Sequence, residues 1–190
     1  FHLNYHNYDK AGRYLEQIIQ QYPRYVEAKI LKAQLMLARK QFGPAKNYLT
    51  ELAETYPDAT PVIFLKGIAH LQNDETDQAK IAFGKVSREN PKYEEAKILL
   101  AELYLRENSL KPAKEAVDAV LQSAPDHPVA LRMKGDIHLR QNQLDAAEAC
   151  FYDLVRLAPE KPDGFYRLGL IHYERGSFEA AKAYFEAALA

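Results

Sequence analysis

The chain has 190 residues with 25 basic and 26 acidic side chains, a formal net charge of -1, and 47% apolar residues. That balance supplies a core and a soluble surface, and it argues against nucleic-acid binding, which normally shows a basic excess or a basic stripe. No apolar run approaches the roughly 20 residues of a membrane-spanning helix, and a lone cysteine, Cys150, excludes an internal disulfide.

Residues 1–7, FHLNYHN, read as the last turn of one helix and the turn after it, and a helix is predicted over 8–21. Pro23 closes that helix, because proline lacks the backbone N–H and its ring clashes with the preceding turn. Four more prolines follow at the same interval of 34 residues: Pro57, Pro91, Pro125 and Pro159. Between these breaks the pattern predicts paired helices over 26–39 and 43–56, 60–72 and 76–89, and 94–106 and 110–123. The last pairs fall at 128–140 with 144–157 and 162–175 with 178–189. The turn inside each pair carries His6, Lys40, Asp74, Asn108, Asn142 or Gly176 at one register. Asn, Asp and Gly tolerate the left-handed conformation that ends a helix.

Three further series share the 34-residue period. Ala33, Gly67, Ala101, Gly135 and Gly169 place a small residue in each first helix, and Ala11, Ala45, Ala79, Ala113, Ala147 and Ala181 place one in each second helix. Small residues at fixed helical positions mean that the two helices approach closely. Leu15, Leu49, Phe83, Val117, Phe151 and Phe185 fill the adjoining space.

With the periodic proline numbered 32 in each unit, these residues resemble the tetratricopeptide repeat, which has a small residue at 8, Ala at 20, a bulky apolar residue at 24 and Pro at 32. The resemblance implies an all-α, right-handed superhelical solenoid of antiparallel hairpins, one array with units 1–25 (partial), 26–59, 60–93, 94–127, 128–161 and 162–190. The style is that of leucine-rich bacterial arrays, and the absence of a polar capping helix suggests a segment of a longer array. The middle units depart from the family: position 4 is Lys29, Ile63, Lys97 and Leu131 instead of a large aromatic, and position 7 is Lys32, Lys66 and Lys134 instead of Leu. Their first helices are expected to turn the apolar stripe differently.

The resemblance also implies a concave groove lined by positions 2, 5, 9, 12 and 13, which share one helical face. The candidates are Ile30, Gln34, Leu37, Phe64, Ile68, Leu71, Ile98, Glu102 and Leu105, leading to Arg132, Asp136, Arg140, Tyr166 and Tyr173. This reads as an apolar trough with a charged, Tyr-lined end, suited to an amphipathic helix or an extended segment. Packing of the same side chains on neighbouring helices is the other reading. The carboxylate clamp of chaperone-tail binders, Lys and Asn at positions 5 and 9, is absent, since these positions read Ile30 and Gln34, Phe64 and Ile68, Ile98 and Glu102.

No phosphate loop, zinc motif or nucleophile elbow occurs, so no catalytic residue, cofactor or metal is expected. His2, His70, His138 and His172 share position 11 and read as half-buried packing rings. Cys150 reads as a structural thiol. The expected function is a scaffold for a protein or peptide partner. The alternative is a structural or regulatory spacer in a larger bacterial envelope, export or signalling protein, with cytoplasm and periplasm both open. Apolar residues at the ends and in the groove add an expectation of self-association.

Overall fold

A computed structural model describes residues 8–189. The expected turn over residues 1–7, with His2 and His6, lies outside them. Eleven helices and no strand occur among the described residues: α1 (Tyr8–Gln21), α2 (Val26–Ala38), α3 (Phe42–Thr55), α4 (Thr60–Gln72), α5 (Thr76–Glu89), α6 (Glu94–Arg106), α7 (Leu110–Ser123), α8 (Pro128–Arg140), α9 (Leu144–Leu157), α10 (Pro162–Glu174) and α11 (Phe178–Leu189).

Two kinds of turn punctuate them. Within each hairpin one residue takes a left-handed conformation: Lys40, Asp74, Asn108, Asn142 and Gly176, with φ between 55 and 75°. The amide that follows bonds back to the carbonyl at position 11, as in Gln41 to Met36, Glu75 to His70 and Gln143 to His138. This closure satisfies carbonyls that the helix end leaves without partners. Between hairpins the periodic proline takes the second place of a four-residue turn, closed by Tyr25 N to Tyr22 O, Ala59 N to Tyr56 O and Lys161 N to Ala158 O. Proline favours that place because its ring presets φ.

The helices form two units, Phe1–Ala96 and Lys97–Ala190. In the first, α1 to α5 pack each on the next, and α2 also meets α4. Its core joins Ala33, Leu49, Leu52, Val62, Leu65 and Ala69. In the second, Ala101, Val117, Val120, Met133 and Ile137 make one cluster, and Phe151, Leu154, Leu168 and Ile171 another.

Each hairpin closes on the small residue at position 8. Phe83 lies against Gly67 and Phe151 against Gly135, so that a Cβ on either glycine would fall 2.5 or 2.3 Å from the ring. Where position 24 is Leu49 or Val117, position 8 is Ala33 or Ala101. All of these side chains are fully buried. The bulk at 24 and the gap at 8 are thus matched hairpin by hairpin.

The irregular positions 4 and 7 do not displace the apolar stripe. The position 8 residues stay buried in every hairpin. Ile63 and Leu131 remain buried, and the lysines are accommodated by their stems. Lys29 lies over the Tyr56 ring at 5.4 Å and Lys32 over Tyr48 at 5.5 Å, cation–π contacts that take the place of an apolar contact.

Candidate partner-binding surface

The first helix of each hairpin is packed on most of its circumference, and positions 5, 9 and 12 sit at the boundary of what remains open. In the first unit Ile30, Leu37, Phe64, Ile68 and Leu71 are half-buried and Gln34 is exposed. Ile30 and Leu37 rest on the core of that unit. Phe64 is engaged twice, its ring 5.6 Å from Phe83 and 4.9 Å from Tyr93. The half-buried ones are all apolar, and the exposed Gln34 is polar.

In the second unit the residues diverge. Leu105 is buried among Val117, Met133 and Ile137, and Ile98 packs on the same cluster. Glu102 pairs with Arg106 at 2.6 Å. Arg132 meets Asp136 at 3.1 Å and Asp163 at 3.7 Å. Arg167 bonds both carboxylates, Asp163 at 3.1 Å and Asp136 more closely, so two helices are laced by four alternating charges. Burial holds the Asp136 carboxyl above its usual range despite Arg167 and Arg132. Arg140 turns aside and donates to the Leu105 carbonyl in the last turn of α6, where a cation complements the helix dipole.

Tyr166 and Tyr173 are open, 52% and 60% exposed. Tyr166 lies 5.9 Å from Phe185 and Tyr173 5.5 Å from Phe178, ring centre to ring centre. Pro162, Asp163, Tyr166 and Leu170 of α10 face Phe185, Ala188 and Leu189 of α11 across a cleft of about 640 Å³ with an apolar lining.

Arg167, Phe185 and Leu189 were not among the expected groove residues. The Asp163–Arg167 spacing of four was a legible signal of an ion pair on one face. Phe185 occupies a position that is core in the other hairpins.

The position 11 histidines have structural surroundings. His70 Nδ1 lies 2.5 Å from Glu75, which Lys46 also bonds, and these two bonds hold the Glu75 carboxyl below its usual range. His138 Nδ1 lies 2.6 Å from Gln143, and His172 stacks on Tyr184. Among the described residues no three His, Cys, Asp or Glu side chains form a group that could hold a metal ion. No helix of the described residues is long and apolar enough to cross a membrane.

One tetratricopeptide repeat model matches residues 3–63 and 70–137, and a second such model matches 132–190. The chain belongs to the tetratricopeptide repeat family. Members are in general protein-interaction scaffolds without enzymatic activity. No curated protein sequence matches the chain. Among solved structures, MamA (residues 41 to the end) from Desulfovibrio magneticus RS-1 is 21% identical, with 94% of this chain and 93% of that one covered and a TM-score of 0.76. YrrB, described as a tetratricopeptide repeat protein with an unusual peptide-binding site, is 17% identical over 92% and 90%, also at 0.76. A tetratricopeptide repeat protein from Parabacteroides merdae is 15% identical over 96% and 73%, at 0.79. These likenesses carry the fold: an all-α solenoid of helix hairpins.

Proposed function

We propose that the chain docks a helix or extended segment of a partner polypeptide on the first-helix faces of its hairpins, with the cleft between α10 and α11 as the anchor. The observation that carries this reading is the cleft itself. Tyr166 and Leu170 border it with Phe185 and Leu189, and Leu189 is 89% exposed. Covering side chains of this size gains roughly 1.5–3 kcal/mol each, and a few such anchors dominate most interfaces. Beside the cleft, Arg132, Asp136, Asp163 and Arg167 already satisfy one another. A partner therefore meets charges held in place, which fix register without a large ordering cost.

The test is a selection of peptides from a random displayed library against the full chain, followed by shift mapping on labelled protein. Selected peptides should perturb Tyr166, Leu170 and Tyr173, and Tyr166→Ala should weaken them roughly tenfold or more, the scale of one anchor. Peptides that bind undiminished to Tyr166→Ala and perturb only second-helix surfaces would overturn the proposal.

A further inference from the structure

On the side of α4 away from positions 5, 9 and 12, a cleft of about 240 Å³ opens between α3 and α5. Ile63, Lys66 and His70, positions 4, 7 and 11, line it together with Ala53, Pro57, Ile81 and Ala82. These three positions follow one another at helical spacing, so one stripe of α4 faces the opening. This hairpin departs from the family at both positions 4 and 7. Ile63 is smaller than an aromatic ring, and Lys66 replaces a leucine.

The repeat supplies its own comparison for Lys66. Lysine occurs at position 7 in two other hairpins, and both meet a carboxylate at position 25 of the preceding hairpin. Lys32 pairs with Glu16 at 3.5 Å and Lys134 with Asp118 at 3.1 Å. For Lys66 the position 25 residue is Thr50, which carries no charge. Lys66 is half-buried and has no ion pair or hydrogen bond among the described residues. The other charges around the cleft are accounted for. Lys85 donates to the Pro57 carbonyl at 2.9 Å and lies 3.7 Å from Glu89, and His70 is held by Glu75. Glu54 lies on the rim, exposed, where solvent screens it. A half-buried ammonium without a partner, above an apolar floor, favours an anion on an apolar stem.

We propose that this cleft binds a carboxylate carried on a short aliphatic stem, the carboxylate replacing the missing position 25 partner of Lys66 and the stem lying on Ile63, Ile81 and Ala82. A polypeptide ending in an aliphatic residue and a free aliphatic acid share this chemistry.

The experiment is methyl and amide shift titration of the full chain with hexanoate, hexanamide, and a peptide ending in leucine with its terminus free or amidated. Hexanoate or the free-acid peptide should shift Ala53, Ile63, Ile81 and Ala82. The matching amide should bind roughly tenfold more weakly, the scale of one hydrogen bond to a charged group. Lys66→Met should lose binding to the same degree. Thr50→Glu should lose it too, because it supplies the carboxylate that Glu16 and Asp118 supply elsewhere, and it is expected to raise the melting temperature. This second variant keeps the test decisive if Lys66→Met disturbs the fold. Preference for the peptide over hexanoate, or the reverse, identifies the source. Equal binding of acid and amide, unchanged binding by Thr50→Glu, or no shift from either carboxylate would overturn the proposal.

Discussion

The matching of positions 8 and 24 makes a quantitative prediction at Gly135 and Phe151. A Cβ on Gly135 would lie 2.3 Å from Phe151 Cε1 and 2.5 Å from Cζ, and Phe151 is fully buried with nowhere to turn. Gly135→Ala gains about 1 kcal/mol of helix propensity but forces the ring aside, which costs about 1–3 kcal/mol. At this closeness the upper end applies, leaving a net loss of about 2 kcal/mol. Phe151→Leu alone leaves a void over the glycine and should cost about 1–2 kcal/mol, less than the Phe→Ala range. The double variant reproduces the pairing that Ala33 and Leu49 already make with both residues fully buried. It should lose no more than about 1 kcal/mol relative to the parent, a coupling of about 2–4 kcal/mol. Denaturant unfolding of the four proteins gives the cycle. Gly169→Ala is a built-in comparison: its Cβ would fall 2.5 Å from Phe185, but that ring is only half-buried and can swing away, so the loss should be smaller. Additive single effects, within about 0.5 kcal/mol, would refute the matching argument.

Lys40 holds φ at 58°, a conformation that costs a side chain about 1–2 kcal/mol, so Lys40→Gly should stabilise the chain by up to about 1 kcal/mol in thermal melts. Cys150 is buried, and burial pushes its thiol pKa up; a disulfide-exchange reagent at neutral pH should label it far more slowly in native protein than in denaturant. At Asp118 burial raises the pKa, but hydrogen bonds from Lys114 and Lys134 outweigh it, and the carboxyl sits below its unfolded value. In the window between the two values the unfolded chain binds more protons, so this stability is present above the unfolded pKa and fades as pH falls through the folded one. Asp118→Asn should flatten the acid limb of the stability curve, and an unchanged acid limb would contradict the assignment. Phe178 and Leu189 are open, and we propose that they drive association of copies; sedimentation should show mass rising with concentration, reduced by Leu189→Glu.

Helix boundaries were legible in the sequence to about a residue because each end carries a chemical marker. The helix expected over 43–56 is Phe42–Thr55, and that expected over 162–175 is Pro162–Glu174. The left-handed residue stops the first helix of a pair and the proline turn stops the second, and neither depends on distant contacts. Lys40 shows that register outweighs residue preference: it takes the left-handed place at φ 58° where Asn and Gly stand in other hairpins.

Exposure on the candidate groove was not legible in the same way. Leu105 and Tyr173 share position 12, yet one is 8% exposed and the other 60%. Helical phase places both on one face, but what covers that face is contributed by other helices. Met133 and Ile137 of α8 close over Leu105; Tyr173 has the edge of Phe178 and open solvent. The position 7 lysines make the same point with charge. Lys32, Lys66 and Lys134 share position 7 of their own helices, and it is the residue at position 25 of the hairpin before that separates two paired ammonium groups from an unpaired one. In a repeat protein the period therefore predicts what each hairpin does for itself. Differences between hairpins arise where one hairpin meets the next, and the comparison of equivalent positions there, rather than the consensus, brings them out.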